Sequence, residues 1–116
     1  MSITRIEVGP RMSQAVVHGD TVYLAGQVAA KPEGASVGEQ TARILAQIDA
    51  LLAEAGSDKT KLLSATIYLA DISTFAEMNA KWDGWISAGN TPARATVEAK
   101  LAAPVYTVEI AVIAAI

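Results

Sequence analysis

Tyr106-Thr107-Val108-Glu109-Ile110-Ala111-Val112-Ile113-Ala114-Ala115 is the stretch on which the fold turns. It reads as a strand, and successive side chains on a strand point to opposite faces. Val108, Ile110, Val112 and Ala114 fall on one face. Ala111, Ile113 and Ala115 fall on the other, interrupted by Glu109. Both faces are apolar, so both need cover from water. The rest of the chain determines what that cover is.

Ala102-Ala103-Pro104 joins this strand to an earlier one, about Arg94 to Leu101. Before it, Asp71-Ile72-Ser73-Thr74 opens a helix with an apolar stripe of Phe75, Met78, Trp82 and Trp85 or Ile86, closed by Gly89-Asn90. Leu62 to Ala70 has the period of a strand, with Leu63, Ala65, Ile67 and Leu69 alternating with Ser64, Thr66 and Tyr68. Ser36-Val37-Gly38-Glu39 has the capping-box pattern, a hydroxyl followed three residues later by Glu. The helix it opens carries Ala42, Leu45, Ile48, Leu52 and Ala55, widened by Ile44 and Leu51, and stops at Gly56. Further upstream, Ile3–Val8, Gln14–Val17 and Thr21–Ala29 read as strands, the last two flanking a hairpin turn at His18-Gly19-Asp20. The order is β-β-β-α-β-α-β-β.

That order predicts an α+β fold: one six-stranded, mostly antiparallel sheet with two helices on one face. No linker or repeat divides the chain, so residues 1–116 are expected to form a single domain. Two helices leave the second face of the sheet bare, although the last strand is apolar there too. The composition points the same way, at 52% hydrophobic and 18% charged, against a usual charged share of about 25%. The expected cover is another copy of the chain.

The net charge of −3 and the scattered nine Lys and Arg give no electrostatic case for nucleic acid. The absence of cysteine removes disulfides, thiolate nucleophiles and Cys-based zinc sites, and the lone His18 cannot form a metal cluster, so no metal and no cofactor is expected. Met1-Ser2-Ile3-Thr4-Arg5 lacks the apolar core of a signal peptide, and no apolar run is long enough to span a bilayer. A cytoplasmic protein without membrane attachment is expected.

Two charged residues stand out. In the strand after Pro92, Ala95, Val97, Ala99 and Leu101 form the more apolar row, with Arg94, Thr96, Glu98 and Lys100 opposite. If the helices take the more apolar row of each strand, Arg94 and Glu109 share the bare face. Spacing leaves two readings open: a structural Arg–Glu pair between subunits, or a ligand site. In the second, the guanidinium fork grips a carboxylate at two points and Glu109 positions a water or passes a proton. Asn79 is a candidate polar contact. Gly26, in mid-strand, marks a bulge or a close backbone approach.

Thr91-Pro92-Ala93-Arg94-Ala95-Thr96-Val97-Glu98, followed by Val108-Glu109-Ile110, is similar to the C-terminal signature of the RidA/YjgF family of enamine/imine deaminases. Gly19 to Gln27 resembles the family's Gly-Asn/Asp-x-Val/Ile-x-x-Ser-Gly-Gln segment, and the likeness covers nearly the whole chain. It implies a chorismate-mutase-like homotrimer with clefts between subunits. It also implies cofactor-free hydrolysis of 2-imino acids and their enamine tautomers to 2-keto acids and ammonium. In that picture Arg94 holds the substrate carboxylate, Glu109 orients the water, and Asn79, Ala25, Gly26 and Thr96 line the substrate. Ala25 stands where the family has Ser and Thr96 where Cys is common, and no Tyr follows Gly9-Pro10. The alternative is a trimer that binds a small carboxylate metabolite without turning it over.

Overall fold

The computed structural model describes residues 2–116. The doubly apolar C-terminal strand lies near the middle of a six-stranded sheet. The elements are β1 (Ile3–Val8), β2 (Ser13–His18), β3 (Thr21–Leu24), α1 (Val37–Glu54), β4 (Leu62–Leu69), α2 (Phe75–Trp85), β5 (Ala93–Glu98) and β6 (Val108–Ala115). The strand order is β1-β2-β3-β6-β4-β5. All pairs are antiparallel except β4 with β5, the pair that α2 connects and that therefore needs a crossover.

Both helices lie on one face. The core beneath them takes Val108, Ile110, Val112 and Ala114 from β6 and Ala65, Ile67 and Leu69 from β4. It takes Val22 and Leu24 from β3, and Ile44, Ile48, Leu52, Met78 and Trp82 from the helices. The other face is bare in one copy of the chain, and Tyr23 there is 46% exposed.

The cap of α1 follows its sequence. The Ser36 hydroxyl accepts from the Glu39 amide at 3.1 Å, and the Glu39 carboxylate accepts from the Ser36 amide. At the other end Gly56 takes φ +84°, where a Cβ is disfavoured. The Ser57 amide reaches back to the Leu52 carbonyl at 2.8 Å, closing the last turn. Gln40 sits buried in the first turn. Its amide nitrogen donates to the carbonyls of Pro32, Ala35 and Val105, and its oxygen accepts from the Thr107 amide at 3.0 Å. One side chain thus fixes the entry to both α1 and β6.

Several boundaries differ from the periodic reading. β3 ends at Leu24, not Ala29, because the chain leaves the ladder at Ala25-Gly26 and returns only as a single bridge between Gln27 and Ile110. Leu63 is exposed: a register shift between Leu62 and Ser64 puts Leu62 into the core in its place. Ala42 is exposed on α1. A one-turn 3-10 helix at Ile72–Thr74 precedes α2, which ends at Trp85 rather than continuing to Gly89. β5 stops at Glu98 and β6 starts at Val108.

Candidate functional site

Arg94 lies on β5 opposite Ala65, and Thr96 opposite Ile67. Residues opposite one another in a parallel pair project to the same side of the sheet. Ala65 and Ile67 belong to the buried row beneath the helices, so Arg94 and Thr96 point to the helix side. The contacts agree. Arg94 Nη1 donates to Asn79 Oδ1 on α2 at 2.8 Å. The guanidinium carbon lies 5.2 Å from the centroid of the Trp82 ring and 5.8 Å from that of Phe75. Further along the row, Glu98 Oε2 accepts from the Ile72 amide at 3.1 Å.

The fork is therefore held at one nitrogen and packed against aromatic rings, while the residue stays exposed. Among the described residues no carboxylate lies within ion-pair distance of it; the one ion pair joins Arg43 to Glu39. Thr96 Oγ1, in the same row, is buried without a hydrogen-bond partner.

Glu109 lies on the other face. Its neighbours Val108 and Ile110 fill the core, and it stands opposite Tyr68. Gly26 is directly against it: a Cβ on Gly26 would come 2.2 Å from Glu109 Oε2. The Gly26 segment is firmly held. The Ala25 amide donates to the Gln14 carbonyl at 2.9 Å, and Gln27 exchanges backbone bonds of 2.8 and 3.1 Å with Ile110. The Gln27 side-chain nitrogen donates to the Ala25 carbonyl at 3.1 Å and to Gln14 Oε1 at 2.9 Å. Gln47 on α1 completes this chain of amides, donating to Gln27 Oε1 at 3.3 Å and to the Val28 carbonyl at 3.0 Å. A cleft of about 560 Å³ opens beside Gly26, with Met12, Gln14 and Gln47 in its wall.

The expectation that Arg94 and Glu109 share a face is thus overturned. The more apolar row of β5 does not face the helices: Val97 is 42% exposed on the bare side. The helices meet the charged row instead, because Asn79 and the rings of Phe75 and Trp82 suit a guanidinium. Arg94 and Glu109 also stand opposite residues three apart on β4, Ala65 and Tyr68, and on strands two apart. That separates them by about 10 Å along the sheet and about 10 Å across it. They form no ion pair within a chain. The predicted residues fall into two groups instead: Arg94, Asn79 and Thr96 on the helix side, and Glu109, Gly26 and Ala25 beyond the sheet. The apolar stripe read from the sequence holds for Trp82, which is buried, while Phe75 is exposed; the sequence reading did not foresee both rings as the bed for Arg94, nor the Gln14–Gln27–Gln47 chain. The pairing of Gly26 with Gln27 was the available signal. His18 lies exposed at the end of β2.

A profile of the family described as Endoribonuclease L-PSP matches residues 2–116. The chain is 48% identical to the RutC family protein YoaB of Escherichia coli K12, over 100% of both chains. It is 45% identical to a RutC family protein of Haemophilus influenzae, over 98% of both. The crystal structure of a YjgF family member from Neisseria meningitidis superposes with a TM-score of 0.95 at 50% identity, covering 99% of this chain and 95% of that one. A YjgF/YER057c/UK114 family member from Mycobacterium tuberculosis gives 0.89 at 28% identity, covering 99% and 100%.

Proposed function

Because the chain belongs to the Endoribonuclease L-PSP family, whose YjgF and RutC members match it from end to end, we propose that it hydrolyses 2-imino acids and their enamine tautomers to 2-keto acids and ammonium. The observation that carries the proposal is Arg94: a guanidinium fixed by Asn79 at 2.8 Å, exposed, and without a carboxylate partner among the described residues. A ligand carboxylate supplies the missing partner in two-point contact.

Glu109 supplies the chemistry. It accepts a proton from water as the water oxygen bonds to the imine carbon and the C=N π pair moves to nitrogen. It returns that proton to the nitrogen of the carbinolamine. Glu109 then takes the carbinolamine hydroxyl proton as the oxygen pair re-forms C=O and delivers it to nitrogen as the C–N bond breaks, so that ammonia leaves and takes up a proton from solvent as ammonium. The imine carbon is already electrophilic, so positioning and proton transfer suffice.

Arg94 and Glu109 of one copy lie on opposite faces, so no small substrate meets both. We assign the site to a cleft between copies, with Arg94, Asn79 and Thr96 from one and Glu109, Ala25 and Gly26 from its neighbour. A closed ring with one repeated head-to-tail interface satisfies this arrangement, and three copies are the assembly that the family resemblance implies.

The test generates 2-imino acids in situ with an amino-acid oxidase and follows keto-acid release. The wild-type protein accelerates it and Arg94→Ala abolishes the acceleration. No acceleration with any small imino acid would falsify the proposal. A melting temperature that rises with 2-keto acids, in the absence of turnover, would point to a metabolite-binding protein instead. The name of the matching family raises RNA cleavage as a second reading. The acidic balance and scattered cations offer no track for phosphates, and salt-sensitive RNA binding is the measurement that would revive it.

A further inference from the structure

We infer that Gly26 is a positioning residue that acts through Glu109, by leaving vacant the space the carboxylate occupies. The inference rests on the reading of Glu109 as the proton-transfer group. The backbone of Gly26 is not in the left-handed region, unlike that of Gly19, Gly34, Gly56 and Gly89. Any L-residue can adopt its conformation, so glycine is required there for space and not for torsion. The nearest atoms in that space all belong to Glu109. A Cβ would meet Glu109 Oε2 at 2.2 Å, Cδ at 3.0 Å and Cγ at 3.3 Å.

Of the two partners, the carboxylate must yield. The backbone on either side of Gly26 is tied to β2 by the Ala25–Gln14 bond and to β6 by both Gln27–Ile110 bonds. The buried Gln27 amide ties the Ala25 carbonyl as well. Among the described residues no ion pair holds the Glu109 carboxylate, and its rotatable bonds let it swing. Gly26→Ala is therefore expected to fold normally while moving the carboxylate by at least about 1 Å, the distance needed to relieve the contact. A displacement of that size takes a proton-transfer group out of reach of its water.

The experiment combines crystallography with a mutant cycle on keto-acid release. Gly26→Ala keeps its melting midpoint within a few degrees, lowers kcat at least about tenfold, and shows the Glu109 carboxylate displaced in its crystal structure. In a Glu109→Ala background the same change alters turnover less than about twofold, because nothing remains to displace. Glu109→Asp, one methylene shorter, recovers part of the loss when combined with Gly26→Ala. An equal fold-loss in both backgrounds overturns the inference, since Gly26 then acts on the ligand directly. So does a carboxylate that stays in place, or a midpoint that collapses. If the wild-type protein turns over no imino acid, the deaminase reading fails, and the carboxylate positions in the two crystal structures still decide the role of Gly26.

Discussion

In the proposed site, Arg94 can take a ligand carboxylate because it is only partly satisfied. One nitrogen is taken by Asn79 and the plane of the fork lies near Trp82 and Phe75, which fixes orientation while leaving donors free. Lysine keeps the charge but loses both the planar contact and the fork. Arg94→Lys is therefore expected to raise KM for a 2-imino acid about 10- to 100-fold, the equivalent of one charged hydrogen bond. Its kcat stays close to wild type, because the carboxylate is gripped alike in ground and transition states. Steady-state kinetics that instead lose kcat at unchanged KM would place Arg94 at the reacting atoms and not at the anchor. Arg94 and Glu109 could be found from the sequence, since charges stand out in apolar alternation. Their faces could not. Choosing the more apolar row as the core side works when one face is wet. On β5 the row of Ala95 and Val97 is apolar but turned away from the helices, and the row beneath them is charged.

Local chemistry fixed the ends of the elements better than periodicity did. The Ser36 cap and the Gly56 stop form where the sequence places them, because each is decided by bonds within a few residues. The bulge at Leu63 and the early end of β3 come from pairing with β6, which no local pattern encodes. Ser36→Ala removes the hydroxyl half of the capping box and is expected to cost about 1 kcal/mol, seen as a fall of about 4 °C in melting midpoint. Acid sensitivity belongs at the same scale. Asp71 opens the 3-10 turn before α2 by accepting from the Ser73 hydroxyl at 2.7 Å and amide at 2.9 Å, and these bonds hold its carboxyl below the usual carboxylate range. Asp58 does the same before Lys59–Lys61, accepting from the Thr60 hydroxyl and amide. A pKa lowered on folding contributes stability above its ordinary value and loses it as pH falls through the lowered one. Melting midpoints of the Asp58→Asn/Asp71→Asn double variant should therefore decline less steeply on acidification than those of wild type. Parallel acid limbs for the two proteins would count against these caps.

At the scale of the molecule, the chain is a slab 42 × 37 × 20 Å, thick enough for one sheet and one helix layer and no more. Tyr23 and Val97 are exposed on the bare side, where Ile113 stands opposite Tyr23. Ile113→Glu sets a charge in the middle of that face and should shift sedimentation toward single chains. An unchanged assembly would mean that copies meet elsewhere. The separation of Arg94 from Glu109 permits a sharper test, because under the proposed deaminase reading each active site is the joint property of two copies. Arg94→Ala spoils one side of every cleft and Glu109→Ala the other, so each variant alone keeps no more than a small residual rate. When the two are unfolded together in equal amounts and refolded, a cleft is whole wherever an intact Arg94 meets an intact Glu109 from the next copy. With random mixing that occurs at roughly a quarter of the interfaces, whatever the number of copies in the ring. Keto-acid release should therefore return to roughly a quarter of the wild-type rate, and should not return when the folded variants are mixed without exchange. A refolded mixture that stays inactive would show that both groups must come from one chain, which the two faces of this sheet do not allow for a small substrate.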